Sequence, residues 1–145
     1  AISSIGLAHM GDAVFEVLVR TWPCAHGKAT GRGLHQATIA LVRAESQAEK
    51  AERILPLLTE EEAAVFRRGR NAHVKSVPGH ATRAQYGEAT ALEALLGWLY
   101  LKGRRDRTNA LFRAMLAESD HAIGWNMYAG GRGGAATEAA GPAAR

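Results

Sequence analysis

The chain has 145 residues, of which 47% are apolar and 22% charged, the balance of one globular domain with a single core and not of a disordered or fibrous protein. Its formal charge of +4 leans towards a polyanionic partner. The single cysteine, Cys24, excludes an internal disulfide framework and a cysteine-rich metal site, and no apolar run is long enough to span a membrane.

Every periodic segment reads as helix and no strand alternation is found, so an all-α fold is expected. The first helix is predicted over Ser4–Thr21. There Leu7, Met10, Val14, Val17 and Leu18 form an apolar stripe at three-and-four spacing, with Ala13, Phe15 and Val19 covering most of the remainder. Only His9, Asp12 and Glu16 stay polar, and a helix so apolar all round is expected to be buried. A connector rich in Gly and basic residues, "WPCAHGKATGRG", leads to a second helix over Gly33–Leu55 with a break near Glu45. The third covers Thr59–Arg68, and Thr59 followed three residues later by Glu62 is a capping-box start. After a second basic connector, "RGRNAHVKSVPGHATR", helices are predicted over Gln85–Lys102 and Asp106–Ser119. The folded domain is therefore expected over 1–120. Residues 121–145, rich in Gly and Ala, are expected to form a flexible tail because they offer too little surface to bury.

Two acids break the apolar pattern. Asp12 sits in "GLAHMGDAVFEVLV", and Glu93 is the lone charge of "ATALEALLGWLYL". An unpaired carboxylate out of water costs several kcal/mol, so it is protonated, paired or on a metal. Two readings fit. Each acid lies on a solvated edge or pairs with an arginine, or the two share a divalent cation; Mg²⁺ suits the second, since it takes oxygen ligands and needs only one or two carboxylates plus substrate phosphate. His9 and Glu16 flank Asp12 and are candidates for orienting a ligand or water from the second rank.

Basic residues supply the complement. "RRGRNAHVK" gathers Arg67, Arg68, Arg70, Asn71, His73 and Lys75 at a helix end, and "KGRRDR" adds Lys102, Arg104, Arg105 and Arg107. Such clusters bind nucleic-acid phosphates, although a helix C-terminus favours cations for its own sake. The remaining conspicuous residues carry less: His26, His35 and His80 have no zinc spacing, Ser76 has no base at a recognisable spacing, and "GKATGRG" is not a phosphate-cradling loop.

Taken in order, "LAHMGDAVFEVLVR", "GLHQATIALVRAESQA", "LTEEEAAVFRRGRNA" and "YGEATALEALLGWLYLKGR" resemble the Mini-ribonuclease 3 family, from about Ile5 to Ala117. The resemblance implies the helical ribonuclease III endonuclease fold without a separate RNA-binding domain, acting as a homodimer with Mg²⁺. It implies hydrolysis of double-stranded RNA to 5′-phosphate and 3′-hydroxyl ends, in maturation of large-subunit precursor ribosomal RNA. Asp12 falls on the Asp of the family's "GDAV" motif and Glu93 on the Glu of its "EAL(I/L)G" motif, the positions that carry metal-dependent catalysis. Larger ribonuclease III proteins have further acids where this chain has Ala8, Gly31 and Thr90; Thr90 joins His9 and Glu16 as a supporting candidate. Arg67, Arg68, Arg70, Asn71 and Lys75 are the expected RNA contacts. No secretory leader is visible, so a cytoplasmic location is expected, or a plastid one if a transit peptide has been removed. The rival reading is an inactive ribonuclease III-fold RNA-binding module, which usually lacks the two acids retained here.

Overall fold

The computed structural model describes residues 1–25, 31–72 and 81–116. Among these run six α-helices and no strand: α1 (Ser4–Ala25), α2 (Gly31–Val42), α3 (Ala44–Ile54), α4 (Glu60–Arg70), α5 (Arg83–Leu101) and α6 (Arg105–Met115), with one 3₁₀ turn at Leu55–Leu57. The all-α expectation holds. The second predicted segment is two helices that meet at Arg43, whose extended backbone (φ −61°, ψ 145°) ends one and starts the other. The tail expected over 121–145 lies outside the described residues, as do His26, His73, Lys75, Ser76 and His80.

Local chemistry sets most boundaries. At α4 the Thr59 hydroxyl accepts from the Glu62 backbone N–H at 3.2 Å, while Glu62 Oε1 accepts from the Thr59 N–H at 2.9 Å. Thr82 and Gln85 make the same reciprocal pair at 3.0 and 2.9 Å. That box starts α5 at Arg83, two residues ahead of the sequence expectation, because it satisfies orphan N–H groups of the first turn. At the other end of α5, Gly103 adopts φ 71°. The Gly103 N–H donates to the Tyr100 carbonyl at 2.9 Å and the Arg104 N–H to the Leu99 carbonyl at 3.0 Å, a Schellman stop that a Cβ would strain.

α5 is the axis of the molecule, packed against α1, α3, α4 and α6. Ala91, Leu92, Ala94, Leu95, Leu96 and Leu99 are fully buried on it, and each buried leucine contributes roughly 1.5–3 kcal/mol. α1 faces this axis with Leu7, Ala8, Gly11, Phe15, Val19 and Trp22, and Phe15 meets Phe112 of α6 edge to face at 6.4 Å. The expectation of a wholly buried first helix is corrected: Met10, Ala13 and Val17 are exposed, Val17 by 64%. Of the predicted stripe, Leu7 is buried and Val14 and Leu18 are half-buried. The core phase of the helix is rotated towards Phe15, Val19 and Trp22. Met10, Ala13, Val14 and Val17 instead line a groove of about 640 Å³ that α1 shares with Tyr100 and α6.

A second correction concerns Arg107, grouped in the sequence with a candidate phosphate-binding cluster but engaged within the fold. Its Nε and Nη2 donate to both oxygens of Glu62 at 2.9 and 2.8 Å, and Nη2 also donates to the Leu57 carbonyl at 2.8 Å. Glu62 is 2% exposed, so this bidentate pair locks α6 onto the start of α4 and keeps a buried charge compensated. The arginine beside it lowers the Glu62 pKa, against the opposing effect of burial.

Candidate active site

The site forms where α1 crosses α5. Both helices carry a glycine at the crossing. A Cβ on Gly11 would overlap the Glu93 carbonyl oxygen, and one on Gly97 would overlap the Leu7 carbonyl oxygen and stand 3.0 Å from the Gly11 nitrogen. Glycine costs about 1 kcal/mol in a helix interior relative to alanine, a cost that close backbone approach offsets. The pairing of Gly11 with Glu93 and of Leu7 with Gly97 makes the two helices antiparallel here. It also sets Asp12, the residue after Gly11, beside Glu93.

The two carboxyl groups come within hydrogen-bonding reach of one another. Asp12 is exposed and Glu93 half-buried. Burial first, then the charge of Asp12 and the hydrogen bond to it, push the Glu93 pKa from the ordinary 4.5 up to about 8. Neither acid belongs to an ion pair among the described residues. The arrangement therefore sets two carboxyls together with no cation among the described residues to offset their charge, which leaves a proton or a hard divalent cation to do so. Among the described residues no third His, Cys, Asp or Glu joins the pair. The donor set fits an ion that keeps most of its coordination for water and substrate oxygens, and does not fit a closed protein cage.

The other sequence candidates are placed as follows. His9 is exposed one turn before Asp12. Glu16 is engaged elsewhere, accepting from Arg20 Nη2 at 3.0 Å on an exposed face. The Thr90 hydroxyl donates to the Tyr86 carbonyl at 2.9 Å within α5, so its proton is committed to its own helix. Arg67, Arg68, Arg70 and Asn71 are all exposed at the end of α4, and that end lies on α5 through Gly69, where a Cβ would meet Ala94 Cβ at 2.8 Å and Ala91 Cα at 2.9 Å. In the second basic run, Arg104 and Lys102 stand over the Trp98 ring at 4.8 and 5.9 Å. The sequence offers Gly97 as one of the small neighbours of Glu93 that permit close approach, whereas the part of Gly11, and of the two glycines together in the helix crossing, was missed. Their signal was present, since each interrupts an otherwise favourable helix and each lies one or four residues from an acid.

The Ribonuclease III domain family pattern matches residues 6–104, the span that contains both helices of the crossing and the arginines of α4. A crystal structure of a Fusobacterium nucleatum protein superposes with a TM-score of 0.72 at 28% identity, covering 77% of this chain and 86% of that one. Fold and matched region thus define a ribonuclease III-type endoribonuclease. Closer similarity is to Mini-ribonuclease 3 of Symbiobacterium thermophilum, 39% identical over 108 residues (74% of this chain and 83% of the relative). That of Synechococcus sp. is 46% identical over 95 residues (66% and 67%), and that of Staphylococcus aureus 34% over 117 (79% and 87%). The chain belongs to the Mini-ribonuclease 3 family. Ribonuclease III proteins act on double-stranded RNA, generally use a divalent metal and typically dimerise. Among the described residues no helix is long and apolar enough to cross a membrane.

Proposed function

We propose that this endoribonuclease cuts double-stranded RNA with Mg²⁺ held by Asp12 and Glu93, acting as a homodimer in the maturation of large-subunit precursor ribosomal RNA. The observation that carries the reading is the carboxyl pair itself, with the Glu93 pKa raised beside Asp12 and no cation among the described residues paired with either acid. A cation between them offsets both the burial and the repulsion that otherwise keep a proton on Glu93.

When bound there, Mg²⁺ supplies Lewis-acid polarisation of a phosphoryl oxygen and a more acidic water. The chain does the rest by placement. Glycines at the crossing fix the two acids on rigid helices and not on loops, so the scissile phosphate meets a preformed site. Asp12, exposed, faces incoming substrate, while half-buried Glu93 anchors the site from α5. Arg67, Arg68, Arg70 and Asn71, with Lys75 beyond them, hold phosphates along the duplex. A-form RNA is recognised mainly by shape and 2′-hydroxyls, so weak sequence preference follows.

The apolar groove supports the homodimer. Met10, Ala13 and Val17 line it, together with Tyr100, which is 58% exposed. Met10 and Ala13 bracket Asp12 in sequence, so a second copy seated on this groove covers apolar surface next to the acid pair. A contiguous exposed apolar groove of this kind is the sort of surface that marks an association site.

The test is cleavage of a long RNA duplex with and without Mg²⁺. Wild-type protein is expected to give 5′-phosphate ends only with the metal. Asp12→Asn and Glu93→Gln are expected to keep native circular dichroism and lose cleavage by about 10²- to 10³-fold or more, the scale of removing a principal transition-state stabiliser. Cleavage at the wild-type rate by either variant removes that residue from the assignment. A strain lacking the protein is expected to accumulate large-subunit ribosomal RNA with extended ends; normal ends overturn that part of the proposal.

A further inference from the structure

Glu88 stands on α5 where α4 comes to its end, and its surroundings are unusual for a carboxylate. Gly87 admits the neighbouring chain: a Cβ there would meet the Arg70 carbonyl oxygen at 3.3 Å and Arg70 Cγ at 3.8 Å. Arg70 Nη1 lies 3.6 Å from Glu88 Oε1, with the two side chains 40% and 22% exposed. The other carboxylate oxygen, Oε2, is buried without a hydrogen-bond partner among the described residues. One loose ionic contact and one orphaned oxygen make poor compensation for a mostly buried charge, and an apolar side chain of similar size would cost less. Fold stability alone therefore gives little reason for an acid here.

Arg70 supplies one. It is the last residue of α4, where the free carbonyls attract cations, and an unrestrained arginine there samples many rotamers or folds back on the helix end. The Glu88 contact draws the guanidinium across the seam between α4 and α5 and engages it through Nη1. A guanidinium has five N–H donors in a rigid fork, so one edge can be held by a carboxylate while the other meets a phosphate.

We propose that Glu88 is a positioning residue for RNA binding: it pins Arg70 across the α4–α5 seam so that the outward edge of the guanidinium is preset for a backbone phosphate. The proposal rests on the reading of Arg67, Arg68 and Arg70 as RNA contacts. Glu88 touches no RNA in this scheme and acts through Arg70. The negative charge close to the duplex is tolerated because the ordering of Arg70 outweighs it.

The test measures binding of the full chain to a fluorescein-labelled RNA duplex in EDTA, across a range of salt concentrations, by anisotropy. Glu88→Ala is expected to weaken binding about three- to tenfold and to lower the salt slope towards that of Arg70→Ala, which loses about one phosphate contact. Glu88→Gln keeps an acceptor oxygen for Arg70 and is expected to recover part of the loss. With Arg70→Ala already present, adding Glu88→Ala is expected to change nothing further, the signature of one residue acting through the other. Tighter binding by Glu88→Ala and Glu88→Gln makes Glu88 a repulsive element and overturns the proposal. So does an unchanged affinity with a lowered melting temperature, which leaves Glu88 a structural role only. If Arg67→Ala and Arg68→Ala also leave affinity and salt slope untouched, the RNA surface itself is misassigned; if they weaken binding and Glu88→Ala does not, the anchor alone fails.

Discussion

Replacing Glu93 with Gln removes an ionisable group whose neighbours oppose its charge, and the consequence for stability can be worked out. In the folded metal-free protein the group titrates near 8; in the unfolded chain it returns to the ordinary 4.5. The folded state therefore holds the proton more tightly. Below pH 4.5 both states are protonated and the shift has no effect. As pH rises from 4.5 the unfolded chain ionises first, so stability falls until the folded group also ionises near 8, after which the penalty is constant. At neutral pH the ionisation gap is about 2.5 units, and at 1.36 kcal/mol per unit that is roughly 3 kcal/mol, reduced to about 2 kcal/mol because water reaches a half-buried carboxyl. Urea unfolding in EDTA at a series of pH values between about 5 and about 8 measures this through the midpoint at constant m. Wild-type protein is expected to lose about 2 kcal/mol more than Glu93→Gln over that window, with the variant the more stable of the two at the alkaline end. Saturating Mg²⁺ is expected to restore wild-type stability there and to do little for the variant. Parallel pH dependence for the two proteins would refute the reasoning, because it would mean that Asp12 and burial do not act on Glu93 in the fold.

Other consequences follow from the packing. Gly97→Ala drives a Cβ into the Leu7 carbonyl at the helix crossing and is expected to cost 3 kcal/mol or more, roughly; Gly31→Ala, with nothing within 4 Å, serves as the unstrained control, and equal melting temperatures would dismiss the close crossing. Arg107→Ala leaves Glu62 buried without its bidentate partner and is expected to cost about 3–5 kcal/mol by urea unfolding at neutral pH. Because Arg107 holds the folded Glu62 pKa below its ordinary 4.5, that contribution is complete above this value and fades as pH falls through the folded pKa, so the gap between wild type and variant should narrow in acid. Thr82→Ala removes one half of the α5 capping box and is expected to cost about 1 kcal/mol, with no change in cleavage once the protein is folded.

How far the sequence could be read depended on whether a feature was local. The Thr59–Glu62 box and the all-helical pattern rest on neighbours three or four residues apart, and both are present as expected. The equivalent box at Thr82 was equally local and went unread, so α5 begins earlier than its apolar run suggested. Phase was harder. On α1 almost every direction is apolar, so spacing alone does not choose between a Met10–Val14–Val17 face and the Gly11–Phe15–Val19 face that α5 buries. Glycine decides it, through a contact between residues far apart in the chain. Arg107 was hidden for the same reason: within "KGRRDR" it looks like one more surface cation, and its partner Glu62 lies 45 positions away. Asp12 and Glu93 were legible as anomalies because a charge in an apolar run stands out. Their proximity is implied by the family resemblance and not by spacing alone, because it depends on a close crossing of two helices at Gly11 and Gly97.

The central claim is that Asp12 and Glu93 jointly hold one divalent cation, and titration with Mn²⁺, a spectroscopically visible stand-in for Mg²⁺, tests it most directly. By electron paramagnetic resonance, wild-type protein is expected to remove Mn²⁺ from the free signal, with Mg²⁺ competing it back. Asp12→Asn and Glu93→Gln are each expected to abolish that uptake while remaining folded. Undiminished, Mg²⁺-competable uptake by either variant would contradict the account, since the ion would then be held without one of the two acids.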